Sequence, residues 1–149
     1  MWSPSVVLIA VVVFAASASV GGGLYESLVL DPVWPGRPAI VQPRHGGVSR
    51  RRFWIPVHST FEVALVAALV VSWNQSDART ALLVALASHF AMRVWSFVDF
   101  IPKAAAFEKA DPATVDRAEA ERWARRSLLR LPLDAIACVA ALAALVAAA

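Results

Sequence analysis

The chain has 149 residues, of which 59% are hydrophobic, with a mean hydropathy of +0.62 and a formal net charge of +3. A soluble domain holds about 45–50% apolar residues, and here the excess is gathered in four blocks, which argues against a soluble globular domain. The one cysteine, Cys138, excludes an internal disulfide framework, and the basic residues flank apolar blocks without a nucleic-acid-binding motif, which argues against a nucleic-acid role.

The first apolar block runs from about residue 5 to 30, long enough to cross a bilayer as a helix. Ala16 to Ser19 imitates a signal-peptide cleavage site, but nothing basic precedes the block and the apolar run continues to Leu30, so a retained span is expected. The loop that follows is rich in Pro and Gly and should be irregular, and Trp34, Phe53 and Trp54 suit a water–lipid interface. The second span is expected over about 54–73, with Pro56 in its first turn. A tight polar connection, Asn74 to Ala78, then makes it an antiparallel neighbour of a third span at about 79–101. Asp111 and Pro112 have N-cap and first-turn chemistry, so a cytoplasmic helix over 112–130 is expected, with Glu121 and Arg125 spaced for an ion pair. Its Arg122, Arg125 and Arg126, beside Trp123, suit lipid headgroups or another anion. Pro132 should kink or reset the chain before a fourth, Ala/Leu/Val-rich span at about 131–149.

The expected architecture is thus all-α: one domain over residues 1–149, an integral membrane four-helix up-down bundle with an extra cytoplasmic helix before the fourth span. Of the 14 Lys and Arg, five lie in residues 31–55 and seven in 102–130, while Arg79 alone marks the second loop. The positive-inside rule then puts the first and third loops in the cytoplasm and both termini outside, in the plasma membrane.

Ionisable residues within spans are costly and mark function, and here they gather at one end. With a rise of about 1.5 Å per residue, Glu26 and His58 lie about 6 Å inside their spans, and Glu62 and Arg93 about 12 Å inside. Matching depth makes Glu62–Arg93 the expected ion pair, since an unpaired charge there is far more costly. His58 and Glu62 are four residues apart on one face, as are His89 and Arg93. Asp99 is placed nearer the surface, to meet Lys103 or a loop amide. Three readings of this cluster remain open. It fixes helix register, or it forms a pocket for a small molecule with Trp95, Phe97 and Phe100 as apolar walls. The third is a metal held by His58, Glu62 and Glu26. Bis-histidine haem is disfavoured, because His58 and His89 differ in expected depth by about 12 Å. Gly21, Gly22 and Gly23 allow close helix approach, and they also leave the helix loose just before Tyr25 and Glu26.

Three strings occur in order: GGGLYESLVLDPVW from Gly21 to Trp34, FVDFIP from Phe97 to Pro102, and Trp123, Ser127 and Arg130 in a W-x-x-x-S-x-x-R pattern. In this order the chain resembles the anthrone-oxygenase-like group of small four-helix membrane proteins, over most of its length. Ser127 departs from the Asn or His that members often carry there. The resemblance implies a four-helix fold and oxygenation of polycyclic phenols. The enzyme reading is a cofactor-independent oxygenase acting on a lipophilic aromatic or quinone-like molecule that arrives from the bilayer. In it His58 is the general base, Glu62 and Arg93 orient it or stabilise an enolate-like anion, and Glu26 relays the proton. Tyr25, His89, Trp95, Phe97 and Phe100 would contact the substrate. The rival readings are an accessory subunit of a larger membrane complex, a small-molecule binder with structural polar residues, and a small transporter that works as a homo-oligomer.

Overall fold

The computed structural model describes residues 2–149, and all regular structure among them is helical. Helix α1 (Pro4–Tyr25) begins where the Ser3 hydroxyl accepts the Val6 N–H and Pro4 takes the first position, which needs no N–H. It passes into a π-helical turn, Glu26–Leu30, with the Asp31 N–H donating to the Glu26 carbonyl at 2.7 Å. Three short 3-10 turns, each with a proline at its start, carry the chain to α2 (Arg51–Val71). After a short turn, α3 (Ser76–Trp95) passes through a second π-helical turn, Ser96–Phe100, into α4 (Ile101–Lys109). Helix α5 (Arg117–Ser127) passes through a 3-10 turn, Leu128–Arg130, into α6 (Leu131–Ala148).

The continuous runs Pro4–Leu30, Arg51–Val71, Ser76–Lys109 and Arg117–Ala148 are each long and apolar enough to cross a membrane. Helix α1 packs on α2 and α6, and α3 packs on α6, whereas α2 meets α3 only sparsely. One end of the α1–α2 contact is tied by Gln75 donating to the Ser5 hydroxyl, the other by Trp54 donating to Glu26. Ile9, Val12, Leu65, Ala68, Leu82, Ala85, Ala141 and Ala144 fill the centre of these contacts. Small side chains dominate that core and let the helix axes approach closely. The outward faces are apolar as well: Phe14, Val63, Val70, Phe90 and Val146 are exposed. Helices apolar all round need an apolar surrounding on their outer side too.

A second apolar cluster forms where the first loop folds under α4 and α5. Trp34 is fully buried there, with Phe107 at 5.3 Å and Trp123 at 5.8 Å between ring centres. Buried Gln42 donates to the carbonyls of Phe107 and Ala110, which anchors the loop to the end of α4. Trp34 is therefore a core residue, not an interfacial one.

Other expectations need correction. Helix α2 starts at Arg51, so Pro56 lies inside it and leaves the Arg52 carbonyl without its helical N–H. The helical run expected over 79–101 starts at Ser76 and continues to Lys109. Asp111 caps only the Pro112–Thr114 turn, while Asp116 caps α5 by accepting from Ala118 and Glu119. The helix over 112–130 is thus shorter, because Val115 and Asp116 are extended. Glu121 pairs with Arg117 at 2.8 Å, one turn earlier than the expected Arg125. Before Pro132 the chain resets as a single 3-10 turn.

Candidate functional site

Sequence breaks in the helices coincide at one end of the bundle. The π turn of Glu26–Leu30 follows Gly21–Gly23, and the π turn of Ser96–Phe100 precedes Pro102, which has no N–H to close a normal turn. π turns frequently mark functional sites. A Cβ on Gly22 would collide with the Phe53 ring, so the start of α2 presses directly on the α1 backbone. Between α2 on one side and the Ser96–Lys109 run on the other lies a cavity of about 600 Å³. The end of α1 and the junction of α5 with α6 form its back wall.

Polar groups line the inner part. Glu26 accepts the Trp54 indole N–H at 2.9 Å. Trp54 stacks on His58, with ring centres 5.2 Å apart and planes 17° from parallel. His58 is buried, and its Nδ1 has no hydrogen-bond partner. Arg130 donates to the hydroxyls of Ser96 at 2.8 Å and Ser127 at 2.6 Å, and its guanidinium lies 4.2 Å from the centre of the Phe100 ring. Asp134 is buried beside it on α6. Arg93 reaches the cavity edge, over the face of Phe97.

Glu62 and Arg93 do come together: Arg93 Nε lies 2.8 Å from Glu62 Oε1. The Arg93 N–H is not aimed at that oxygen, so the contact is an ion pair rather than a directed hydrogen bond. The pair is also less buried than expected, with Glu62 43% exposed on the outer face. The same carboxylate oxygen lies 3.2 Å from His89 Nε2. Glu62 therefore holds His89 and Arg93 and makes no hydrogen bond to His58.

The depth estimate for the two histidines fails. Their ring centres are 5.5 Å apart. Counting from span ends assumes that all helices end in one plane, and α3 instead continues as helix to Lys109. The two rings touch each other, while Trp54 and Phe61 cover their other faces, so they do not flank an open gap. Among the described residues no three His, Cys, Asp or Glu side chains converge as metal ligands.

Of the expected site residues, His58, Arg93, Glu26, Phe97 and Phe100 line the cavity. His89 lies behind His58 in a small crevice with Phe61 and Asp134. Trp95 packs on Phe100 in the second apolar cluster, and Tyr25 faces outward, 62% exposed. Arg122 and Arg125 are exposed and away from the cavity, while Arg126 and Lys103 both pair with Asp99. By sequence Arg130 is a charge flanking an apolar block and Trp54 suits an interface. The cavity makes both of them walls of the site, together with Ser96. The i,i+3 spacing of Ser127 and Arg130, joined here by a hydrogen bond, was the available signal.

Outside the spans, the Asp31 carboxyl is pushed up to about 6 from its usual 3.8. Burial is the largest cause; the Trp34 indole N–H, donated at 3.0 Å, pulls it partway down, and nearby Glu26 raises it again. No protein-family model, curated protein or solved structure matches this chain.

Proposed function

We propose that this protein is an integral membrane up-down bundle whose cavity takes a lipophilic aromatic or quinone-like molecule and promotes its oxygenation. The observation that carries this reading is the cavity itself: aromatic walls, a charged inner end, and a buried histidine nitrogen left without a partner. An unpartnered polar atom at that position is costly unless something arrives to use it. Apolar outer faces and the charge bias of the loops support insertion with the cavity end toward the cytoplasm.

In this mechanism His58 Nδ1 accepts a proton from a phenol or an activated CH of the bound molecule. The resulting enolate-like anion faces the guanidinium groups of Arg93 and Arg130, which stabilise its charge. Glu26, held by Trp54, passes the proton toward solvent. Dioxygen is the co-substrate. For an anthrone, one oxygen atom becomes the new ring carbonyl. The other leaves as water with the two hydrogens of the oxidised carbon. Resemblance to anthrone-oxygenase-like proteins adds to this reading.

One observation favours a non-enzymatic binder or accessory subunit instead. Glu62 serves His89 and Arg93, so His58 has no carboxylate partner to raise its basicity. The discriminating experiment is turnover of anthrone under oxygen by the full chain in nanodiscs. Stoichiometric oxygen uptake with quinone formation supports the enzyme. Saturable binding without oxygen uptake assigns the cavity to the binder.

A further inference from the structure

Two arginines at the inner end of the cavity are not used up by carboxylates. Arg130 bonds only to neutral hydroxyls, and its Nε is buried without a partner. Arg50 sits between Trp34 and Trp123, at 5.4 and 5.0 Å from their ring centres, with a buried Nη1 that also lacks a partner. Among the described residues neither forms an ion pair. Of the five cations in the cavity lining, Arg51 pairs with Glu108 and Arg93 with Glu62, which leaves Arg50, Lys109 and Arg130 against Glu26 and Asp134. Glu26, Asp134 and Asp31 lie near Arg130, but among the described residues none is within ion-pair distance, so its planar fork, shaped for a carboxylate or phenolate, has no anion in direct contact. Glu26 and Asp134 stand close enough to oppose a second negative charge.

The other end of the cavity is apolar and faces outward. Ile55 on α2 and Phe97 and Ile101 on the opposite run form a rim and are 62%, 57% and 42% exposed. Two ion pairs bridge α2 to that run on either side of the rim: Arg51–Glu108 at 3.2 Å and Arg93–Glu62 at 2.8 Å. Helix α2 packs only sparsely on α3, and between the braces it faces the Ser96–Lys109 run across the cavity.

Resting on the membrane reading above, we infer that the cavity is a seat for a singly charged anionic amphiphile. Its head is held by Arg130 and Arg50, and its apolar body leaves through the window framed by Ile55, Phe97 and Ile101. The ligand class is an apolar molecule with one carboxylate or phenolate, which covers both a lipid acid and an ionised aromatic substrate.

The test uses the full chain in zwitterionic nanodiscs with α-bromolaurate as probe, because bromine beside the head group quenches tryptophan on contact and Trp54 and Trp123 both line the cavity. Saturable quenching is expected, about 10-fold tighter than for the matching alcohol, 2-bromododecan-1-ol, as for a hydrogen bond to a charged group. ω-Bromolaurate should bind as tightly but quench less. Arg130→Gln should weaken the acid to the level of the alcohol. Arg130→Lys, which keeps the charge if Gln fails to fold, should bind at an intermediate level. Ile55→Glu, at an exposed rim position, should slow association of the acid but not of the alcohol. Equal affinity for acid and alcohol, or unchanged acid binding in both Arg130 variants, overturns the seat. Unchanged association in Ile55→Glu overturns the window. Acid binding in a protein that oxidises no anthrone upholds the seat while removing the enzyme, so the two readings fail separately. Displacement of the probe by anthrone identifies the aromatic source; displacement only by laurate identifies a lipid acid.

Discussion

The two halves of the bundle are built from the same four helical runs but solve different problems. Around Leu65, Leu82 and Ala141 each helix is regular, small side chains meet, and the core is closed. Around His58, Ser96 and Arg130 the runs are interrupted by two π turns, a 3-10 turn and Pro56, and a cavity of about 600 Å³ opens. Apolar content does not separate the halves, since both are rich in it. Regularity does: each interruption turns a side chain or a backbone segment away from ideal packing, and the freed volume gathers polar groups. The closed half holds the helices together, and the open half holds the cavity and its polar groups.

The sharpest break in that comparison is at the brace between α2 and α3. Arg93→Leu leaves Glu62 and His89 without their cation. A buried pair broken on one side costs about 3–5 kcal/mol, and the half-exposed Glu62 puts this one near the low end. Thermal unfolding in mild detergent should show a large drop, partly restored by adding Glu62→Leu. A single variant that melts like the parent means the pair does not brace the open half.

In the closed half, Leu82→Ala removes a fully buried side chain from between regular helices. Such truncations cost about 2–5 kcal/mol in water-soluble cores. Here the lower end is expected, because lipid is as apolar as the core and only packing is lost. The same melting experiment should show the loss with binding of cavity ligands unchanged. Altered ligand affinity would mean the halves are coupled rather than separate.

The effect that appears only as pH changes lies in the loop beneath the cavity. Asp31 is raised to about 6 in the folded protein against 3.8 in an unfolded chain, so the folded state binds more protons between those values. Its contribution is complete below about pH 4 and is lost as pH rises through 6. Asp31→Asn, which can still accept the Trp34 indole N–H, should remove that part of the slope. Variant and parent melting curves between pH 4 and 7 should therefore converge at low pH and separate, in favour of the variant, toward neutrality. Parallel curves would mean that Asp31 is an ordinary surface carboxylate.

What could be read from the sequence follows the same division. The four helical runs come from block length, and the Glu62–Arg93 meeting from matched depth on antiparallel helices. The contact of His58 with His89 was missed because depth counting needs a common end plane, and the continuation of α3 to Lys109 removes it. The roles of Arg130, Trp54 and Trp34 were missed for another reason. Basic and aromatic residues near span ends usually face headgroups, whereas here the Pro-rich loop folds under α4 and α5 and turns them inward. A loop fixed by one buried Gln42 side chain and a tryptophan cluster has no periodicity to read.

The central claim is that the open half is a working site, with His58 as its base. The direct measurement pairs anthrone oxidation with melting temperature for the parent and for His58→Ala. The account predicts a variant that accumulates and melts like the parent while turnover falls by about 10²–10⁴-fold, the usual share of a general base. A well-folded His58→Ala protein with full turnover would contradict it, as would a loss of activity that only follows loss of folded protein.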